Sequence, residues 1–341
     1  MKNDMFLKHS NLKVEKETIS EEILAWSSSR EKYLNVTSPP YNSSEIFINI
    51  ILNFVYRNKK VLYITDENSI QVEIIEKIKK ISKFRGYTYL KEKSNFGDSL
   101  LLIAKHEMLN KLNYKFDLVI YDDIKSFSSR TKYKIIEAMT SKAKDSAKII
   151  AYSIEKIFEN KKEIILPVRD NCYPLIEPKF IGTRVDINKD IPYVVYEYIE
   201  WSLKIKQKVI IYVPNEAKVK SAYEYLSLYC SKLDGNVIFS IKNKSDRKIL
   251  DNFTKMKQGI MITNDFYFDA KNVNVMVFFA DDELFNYKKL VYLCGKVGRS
   301  GKSRKGEVIF LGNCETEAID KAKNITRHFN KEAWEMNLLK I

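Results

Sequence analysis

FDLVIYDDIKSF, residues Phe116–Phe127, is an apolar β-type run that ends on two adjacent carboxylates, Asp122 and Asp123. Similar runs recur on both sides of it. Val61–Thr65, Leu100–Ala104, Leu118–Tyr121 and Ile149–Ala151 read as strands in the first half of the chain. Val209–Val213, Val237–Ser240, Ile260–Thr263, Val275–Ala280 and Val308–Leu311 read as strands in the second. Segments of helical period separate them, at Ser69–Phe84, Arg130–Lys144, Ala217–Leu233, Asp246–Met256 and Glu315–Phe329. Short apolar strands alternating with helices predict parallel sheets covered by helices on both faces. The rhythm breaks once, where Pro167, Pro174, Pro178, Gly182 and Pro192 give residues 167–192 the composition of a linker. The predicted organisation is an N-terminal α/β lobe at 1–166, a linker at 167–192 and a C-terminal α/β lobe at 193–341. In such lobes ligands are expected at the carboxyl ends of the strands.

Two segments can carry chemistry. An acid at the position of Asp122 can hold Mg²⁺ through water, and a second at Asp123 can position an attacking water. The plain alternative is a strand that ends in a solvated acidic turn. LVYLCGKVGRSG, Leu290–Gly301, sets Lys296 and Arg299 among glycines after a helical run. An arginine on such a turn can be aimed at a terminal phosphate; otherwise it is a basic loop before the last strand.

Composition narrows the partners. Among 341 residues, 58 Lys and Arg face 44 Asp and Glu, a formal charge of +14. An excess of that size points to a polyanion. No apolar run reaches the ~18 residues of a membrane helix, and MKNDMFLKHSNLKVEKE has no signal-peptide core. Nucleic acid is therefore expected rather than membrane, and a cytoplasmic location. Only 10 of the basic residues are Arg, and Lys grips phosphate as a point charge, which suits backbone contact better than base reading. Cys172, Cys230, Cys294 and Cys314 lie far apart, so neither zinc-ribbon spacing nor a disulfide framework is expected. The 42 aromatic residues fall mostly within the apolar periods and read as core, Trp26 among them.

The order of these segments carries a resemblance. A carboxylate pair after a strand, a proline-broken linker, VIIYVPNEAKVKSAYEYL, GIMIT and then LCGKVGRSG…GEVIFL resembles a superfamily 2 helicase. The likeness is greatest to the ComFA competence-protein family, with PriA-type helicases behind it, and runs from about Ser20 to the C-terminus. It implies two tandem RecA-like lobes of the P-loop NTPase type, Mg-ATP as cofactor if the enzyme is active, and no zinc, since that family's four-cysteine module has no counterpart here. It also implies single-stranded or duplex DNA as partner, with RNA left open, and competence or DNA-processing proteins nearby.

Carried over residue by residue, the family's motifs are degenerate. The phosphate loop should read G-x-G-K-T, and the matching stretch is TSPPYNSSE, Thr37–Glu45. Pro40 and Asn42 fall on the glycines, Ser43 on the lysine and Ser44 on the threonine. Pro39 and Pro40 offer no N–H to a phosphate, and proline fixes φ. Asn42 and Glu45 have capping-box spacing ahead of a buried helix. The DExD box reads DDIK, with Asp122 on the metal acid, Asp123 on the catalytic glutamate and Lys125 on the last acid. Tyr152-Ser153-Ile154 stands for S-A-T, and Phe268-Asp269-Ala270 for the E-R-G motif. Lys296 replaces the first arginine of the final motif, and Arg299 keeps the second. Lys105 and His106 lie where the family's Thr-Thr pair contacts the nucleic-acid backbone. With motif glycines gone, the chain holds only 10 glycines. The expected function is a helicase-related nucleic-acid-binding protein whose ATPase is impaired or lost. An active ATP-dependent DNA translocase and a protein-interaction scaffold of helicase shape are the alternatives.

Overall fold

A computed structural model describes residues 2–67, 72–91, 99–125, 130–230, 237–268, 270–299 and 306–340. The side chains of 2–10, 230 and 247 lie outside that description. So do the first residues of the Ser69–Phe84 helix candidate, the end of the Ala217–Leu233 candidate, Asp269, and residues 126–127 and 300–301 of the two quoted segments.

The chain divides into two compact units, Met1–Pro174 with Phe329–Ile341, and Leu175–His328. In the first, helix α1 (Lys2–Ser27) precedes strand β1 (Tyr33–Thr37). A 3₁₀ turn at Glu45–Phe47 then leads into α2 (Ile48–Tyr56). There follow β2 (Val61–Thr65), α3 (Glu73–Ile81), β3 (Tyr87–Tyr89), β4 (Leu101–Ala104), β5 (Phe116–Asp122), α4 (Lys132–Lys142), β6 (Ala143–Ser153) and β7 (Glu163–Ile165). The seven strands form one sheet in the order β3-β4-β2-β5-β6-β1-β7. The second unit holds β8 (Lys179–Gly182), α5 (Tyr193–Lys204), β9 (Lys208–Tyr212), α6 (Glu216–Cys230), β10 (Val237–Ser240), α7 (Arg247–Lys255), β11 (Gly259–Thr263), β12 (Val273–Phe278), α8 (Tyr287–Gly295) and β13 (Val308–Gly312). Its sheet runs β10-β11-β9-β12-β13-β8. Helix α9 (Glu317–Glu335) begins in the second unit and ends among residues of the first.

Every strand pair among the described residues is parallel. The central strands β2, β9, β11 and β12 are buried at every position, as doubly covered parallel strands must be. This is the α/β architecture with helix-covered parallel sheets that the alternation predicts.

Four strands escape the apolar pattern, β1, β3, β7 and β8. β1 (YLNVT) carries a polar residue at its centre, yet Asn35 is 1% exposed. Its amide donates to Phe158 O at 2.9 Å and its carbonyl accepts the Ile157 and Phe158 N–H groups, each at 2.9 Å. A fully bonded amide can be buried at little cost. β8 lies inside the proline-rich stretch 167–192 and pairs with β13 from Lys179 to Gly182. Periodicity also missed α1, which buries Leu12, Ile19, Ile23 and Trp26. Trp26 is core, with the Lys148 ammonium 5.1 Å from its ring centroid.

Candidate functional site

The stretch in the place of a phosphate loop leaves β1 at Thr37 and enters the 3₁₀ turn at Glu45. Its donors turn inward. Ser38 N–H donates to Ser153 O at 3.0 Å and Tyr41 N–H to Ile124 O at 2.9 Å. Ser43 N–H donates to Asn42 Oδ1 at 2.8 Å, and Glu45 N–H to Ser43 Oγ at 3.2 Å. Tyr41 adopts a left-handed conformation (φ 63°) straight after the two prolines, a strained setting for an aromatic residue. A phosphate cradle needs those N–H groups pointing outward together.

The capping box expected from Asn42 and Glu45 does not form. The Asn42 amide donates instead to Ser38 Oγ (2.7 Å) and Val168 O (2.8 Å), tying the loop to the chain after β7. Glu45 pairs with Lys16 and Lys77. The turn has no side-chain cap, and α2 is held by its buried face of Ile48, Ile50, Ile51, Phe54 and Val55. Each such side chain contributes about 1.5–3 kcal/mol on burial.

A carboxylate stands beside the loop where a bound anion would. Glu73, the first residue of α3, accepts from Ser43 Oγ at 3.0 Å and from Ser44 N–H at 3.5 Å. Lys125, at the position of the box's last acid, lies 2.7 Å from its Oε2, and Lys77 lies 3.3 Å from its Oε1. Lys77 also donates to Ser43 Oγ at 2.8 Å. Burial pushes the Glu73 carboxyl up, but Lys125, Lys77 and the Ser43 hydroxyl together outweigh it and hold the group below the ordinary carboxylate range. The anion is thus supplied by the protein, with two lysines as its counter-charges.

The acids behind it are buried. Asp122 and Asp123 are each 2% exposed. Tyr63 donates its hydroxyl to Asp122 Oδ2, and Ile124 N–H donates to Oδ1 at 3.0 Å. Burial raises the Asp122 carboxyl to about 6. Burial first, and Asp122 second, raise Glu67 to about 8. Tyr152, on the serine of S-A-T, is fully buried, donates to Ser43 O at 2.9 Å and packs edge-on against Phe47. These residues do not fit Mg²⁺ as they stand. Both oxygens of Asp122 already accept hydrogen bonds, and among the described residues no group of three or more His, Cys, Asp or Glu is disposed to hold a metal.

In the second unit the two remaining motifs bind each other. Lys296, 3% exposed, donates to Tyr212 Oη (2.9 Å), Phe266 O (2.7 Å) and Phe268 O. Tyr212 donates in turn to Phe268 O at 3.1 Å. Arg299 Nε donates to Lys296 O at 3.2 Å, and Nη2 to Ala270 O at 3.5 Å. Lys296 and Arg299 therefore hold the segment that stands for E-R-G, while Asp269 itself lies outside the described residues.

Lys105 is exposed at the start of the 3₁₀ helix His106–Lys111. His106 is half-buried and edge-on to Tyr121, 6.3 Å between centroids. Burial, then Arg130, lowers its imidazole below the ordinary histidine range. A neutral ring against Tyr121 is a packing residue; Lys105 is the one of the pair that faces solvent.

No family model matches the chain. It is similar to the competence protein ComFA of Bacillus subtilis (strain 168), 21% identical over 251 residues, which cover 69% of this chain and 53% of that protein. ComFA of Streptococcus pneumoniae is 24% identical over 261 residues, 70% of this chain and 58% of that one. The chain resembles a superfamily 2 helicase of the ComFA type. It spans a little over half the length of those two relatives. A shorter match, 32% over 113 residues, is to the mitochondrial ATP-dependent RNA helicase MSS116 of Lodderomyces elongisporus, 30% of this chain and 16% of that protein. Among solved structures, the E. coli DExH-box NTPase HrpB superposes with a TM-score of 0.55 at 10% identity, covering 89% of this chain and 41% of that one. S. cerevisiae Dbp5 bound to RNA and ADP BeF3 gives 0.54 at 11%, covering 91% and 89%. These structures share the fold: two RecA-like parallel sheets flanked by helices.

Glu73, Lys77, Glu67 and Tyr63 belong to no motif, and sequence reading passed over them as site residues; Tyr152 was placed in the S-A-T position, without its bond to the loop. One signal was readable. Lys125 in place of an acid calls for a counter-charge, and Glu73 with Lys77 has the i,i+4 spacing of a helical ion pair.

Proposed function

We propose that the chain is a helicase-related nucleic-acid-binding protein whose ATPase is lost or impaired, serving DNA uptake or processing beside partner proteins. The observation that carries this reading is the Glu73 carboxylate on Ser43 and Ser44, with Lys125 and Lys77 as its cations. A nucleotide phosphate entering there meets a resident negative charge instead of a lysine. The roles first given to Asn42, Ser43, Ser44, Asp122, Asp123, Lys296 and Arg299 in nucleotide binding and catalysis are then structural remnants, each tied into its own unit. Phosphoryl transfer needs positioning and charge stabilisation together, so partial repair returns little.

Phosphate release with excess Mg²⁺, ATP and single-stranded DNA is expected to stay at background. Ser43→Lys is expected to stay there too, because it restores a charge to a loop whose Ser38 and Tyr41 N–H groups point inward and whose anion position Glu73 holds. Turnover near ~1 s⁻¹ that Asp122→Ala abolishes would overturn the reading and favour an active translocase.

The net charge of +14, the relatives and exposed Lys105 support nucleic-acid binding through the phosphate backbone. Affinity for a fluorescent single-stranded oligonucleotide is expected to fall steeply with salt, and Lys105→Glu is expected to weaken it severalfold. Absence of binding at low salt would leave the scaffold reading.

A further inference from the structure

A recess of about 750 Å³ opens in the second unit, far in sequence from the loop just described, lined by Lys206, Lys208, Thr254, Met256, Lys257, Ala270, Lys271 and Asn272. Its place in the sheet is specific. Lys208 is the first residue of β9, whose neighbours are β11 and β12. In register, Lys208 stands opposite Gly259 and Val273, the first residues of those strands. The recess therefore lies at the amino-terminal edge of three adjacent parallel strands. Ligands of open α/β sheets are usually met at the carboxyl edge, and of the lining residues only Ala270 stands on a helicase-type motif, the E-R-G position.

Its chemistry is one-sided. Four of the eight lining residues are lysines, and among the described residues no carboxylate lines it. None of the four forms an ion pair among the described residues, whereas Lys16, Lys77 and Lys125 in the first unit all do. Lys208 is 5% exposed, and its ammonium donates to Thr254 O at 2.9 Å above the Phe253 ring. An ammonium has three donors, and burial disfavours its charge, lowering its pKa. The four lysines line the recess without a counter-charge among the described residues, and an anion there would supply one. Among the described residues the lining also lacks an aromatic ring on which a base could stack and a guanidinium that could read a base edge. Lysines alone grip phosphate as point charges.

We propose that this lysine recess is a second binding site, for a phosphate-bearing anion recognised by charge and not by base. The phosphodiester backbone of a nucleic acid and a free polyphosphate share that chemistry. Only the first source rests on the nucleic-acid reading above; the site itself does not.

The test uses the full chain and two probes, inorganic tripolyphosphate by calorimetry and a single-stranded oligonucleotide by fluorescence anisotropy. Lys257→Glu/Lys271→Glu changes two exposed side chains, and circular dichroism checks that the fold persists. Lys83→Glu/Lys134→Glu, two exposed lysines of the first unit, matches the charge change elsewhere. The recess variant is expected to lose at least tenfold in tripolyphosphate affinity, and the control less than twofold. If the oligonucleotide also crosses the recess, the slope of log affinity against log salt shrinks by about 1.4, at about 0.7 for each of two lost contacts. Loss of tripolyphosphate binding with an unchanged oligonucleotide slope confirms the site and assigns it to the free anion. Tripolyphosphate binding that is absent from the wild type, or equal in the recess variant and the control, overturns the proposal.

Discussion

Lys296→Met is expected to lower the stability of the second unit by about 3–4 kcal/mol, a shift of roughly 10 °C for a unit of this size. The ammonium is buried and makes three hydrogen bonds, to Tyr212 Oη, Phe266 O and Phe268 O. Methionine fills similar volume but leaves those two carbonyls without their strongest donor. An unsatisfied buried acceptor costs about 1–3 kcal/mol. The loss also frees the 266–270 segment, because Arg299 reaches it through Lys296 O and Ala270 O. Calorimetry on the full chain reads the effect, and Lys296→Arg should recover part of it. A loss below 1 kcal/mol would mean that the lysine is held there for a ligand and not for the fold.

The second large effect concerns pH. Glu67 sits beside Asp122 with its Oε1 buried and without a hydrogen-bond partner, while Oε2 accepts the Glu73 N–H at 3.2 Å. Its carboxyl titrates near 8 instead of 4.5, and Asp122 near 6 instead of 3.8. The folded protein thus binds these protons more tightly than the unfolded chain. The stability they contribute is complete below about pH 4 and is lost as pH rises through 6 and then 8. Glu73 and Glu45 act in the other direction. Both are held low by lysines, so their contribution is present above pH 4.5 and lost as acid is added. A stability maximum near pH 5 follows. Glu67→Gln keeps the shape and removes the ionisation. At pH 8 and above it is expected to be more stable than wild type by on the order of 3 kcal/mol, on the scale of about 1.4 kcal/mol per pKa unit discounted for water reaching the group. At pH 4 the two should unfold together. Denaturant melts of both proteins at pH 4, 6 and 8.5 check this, and an equal difference at all three values would show that ionisation is not the cause.

Helical and strand periodicity located most of both sheets. Val61–Thr65 and Val237–Ser240 form the strands read from sequence to the residue. β1 was hidden because a buried asparagine breaks an apolar run, and only the carbonyl and N–H groups of 157–158 make that burial affordable. β8 was hidden among prolines, which break the local pattern without preventing Lys179–Gly182 from pairing at a sheet edge. The amphipathic signal of α1 was too weak to read; its apolar face exists because α2 is there to cover it.

The candidate site divides in the same way. That the phosphate loop had lost its donors was legible in Pro39 and Pro40 and in Ser43, since proline has no N–H and serine no charge. What took their place was not. Glu73 lies thirty residues along the chain from Ser43 and Lys125 fifty-two beyond Glu73, and no local rule brings them together. Only the β2-β5-β6-β1 order of the sheet and the helix following β2 set that carboxylate against the loop. Sequence by itself determined the alternation of the central strands and helices, because burial periodicity is local and survives the loss of motifs. The tertiary structure decided which charges meet, because an ion pair depends on distance across the sheet and not along the chain.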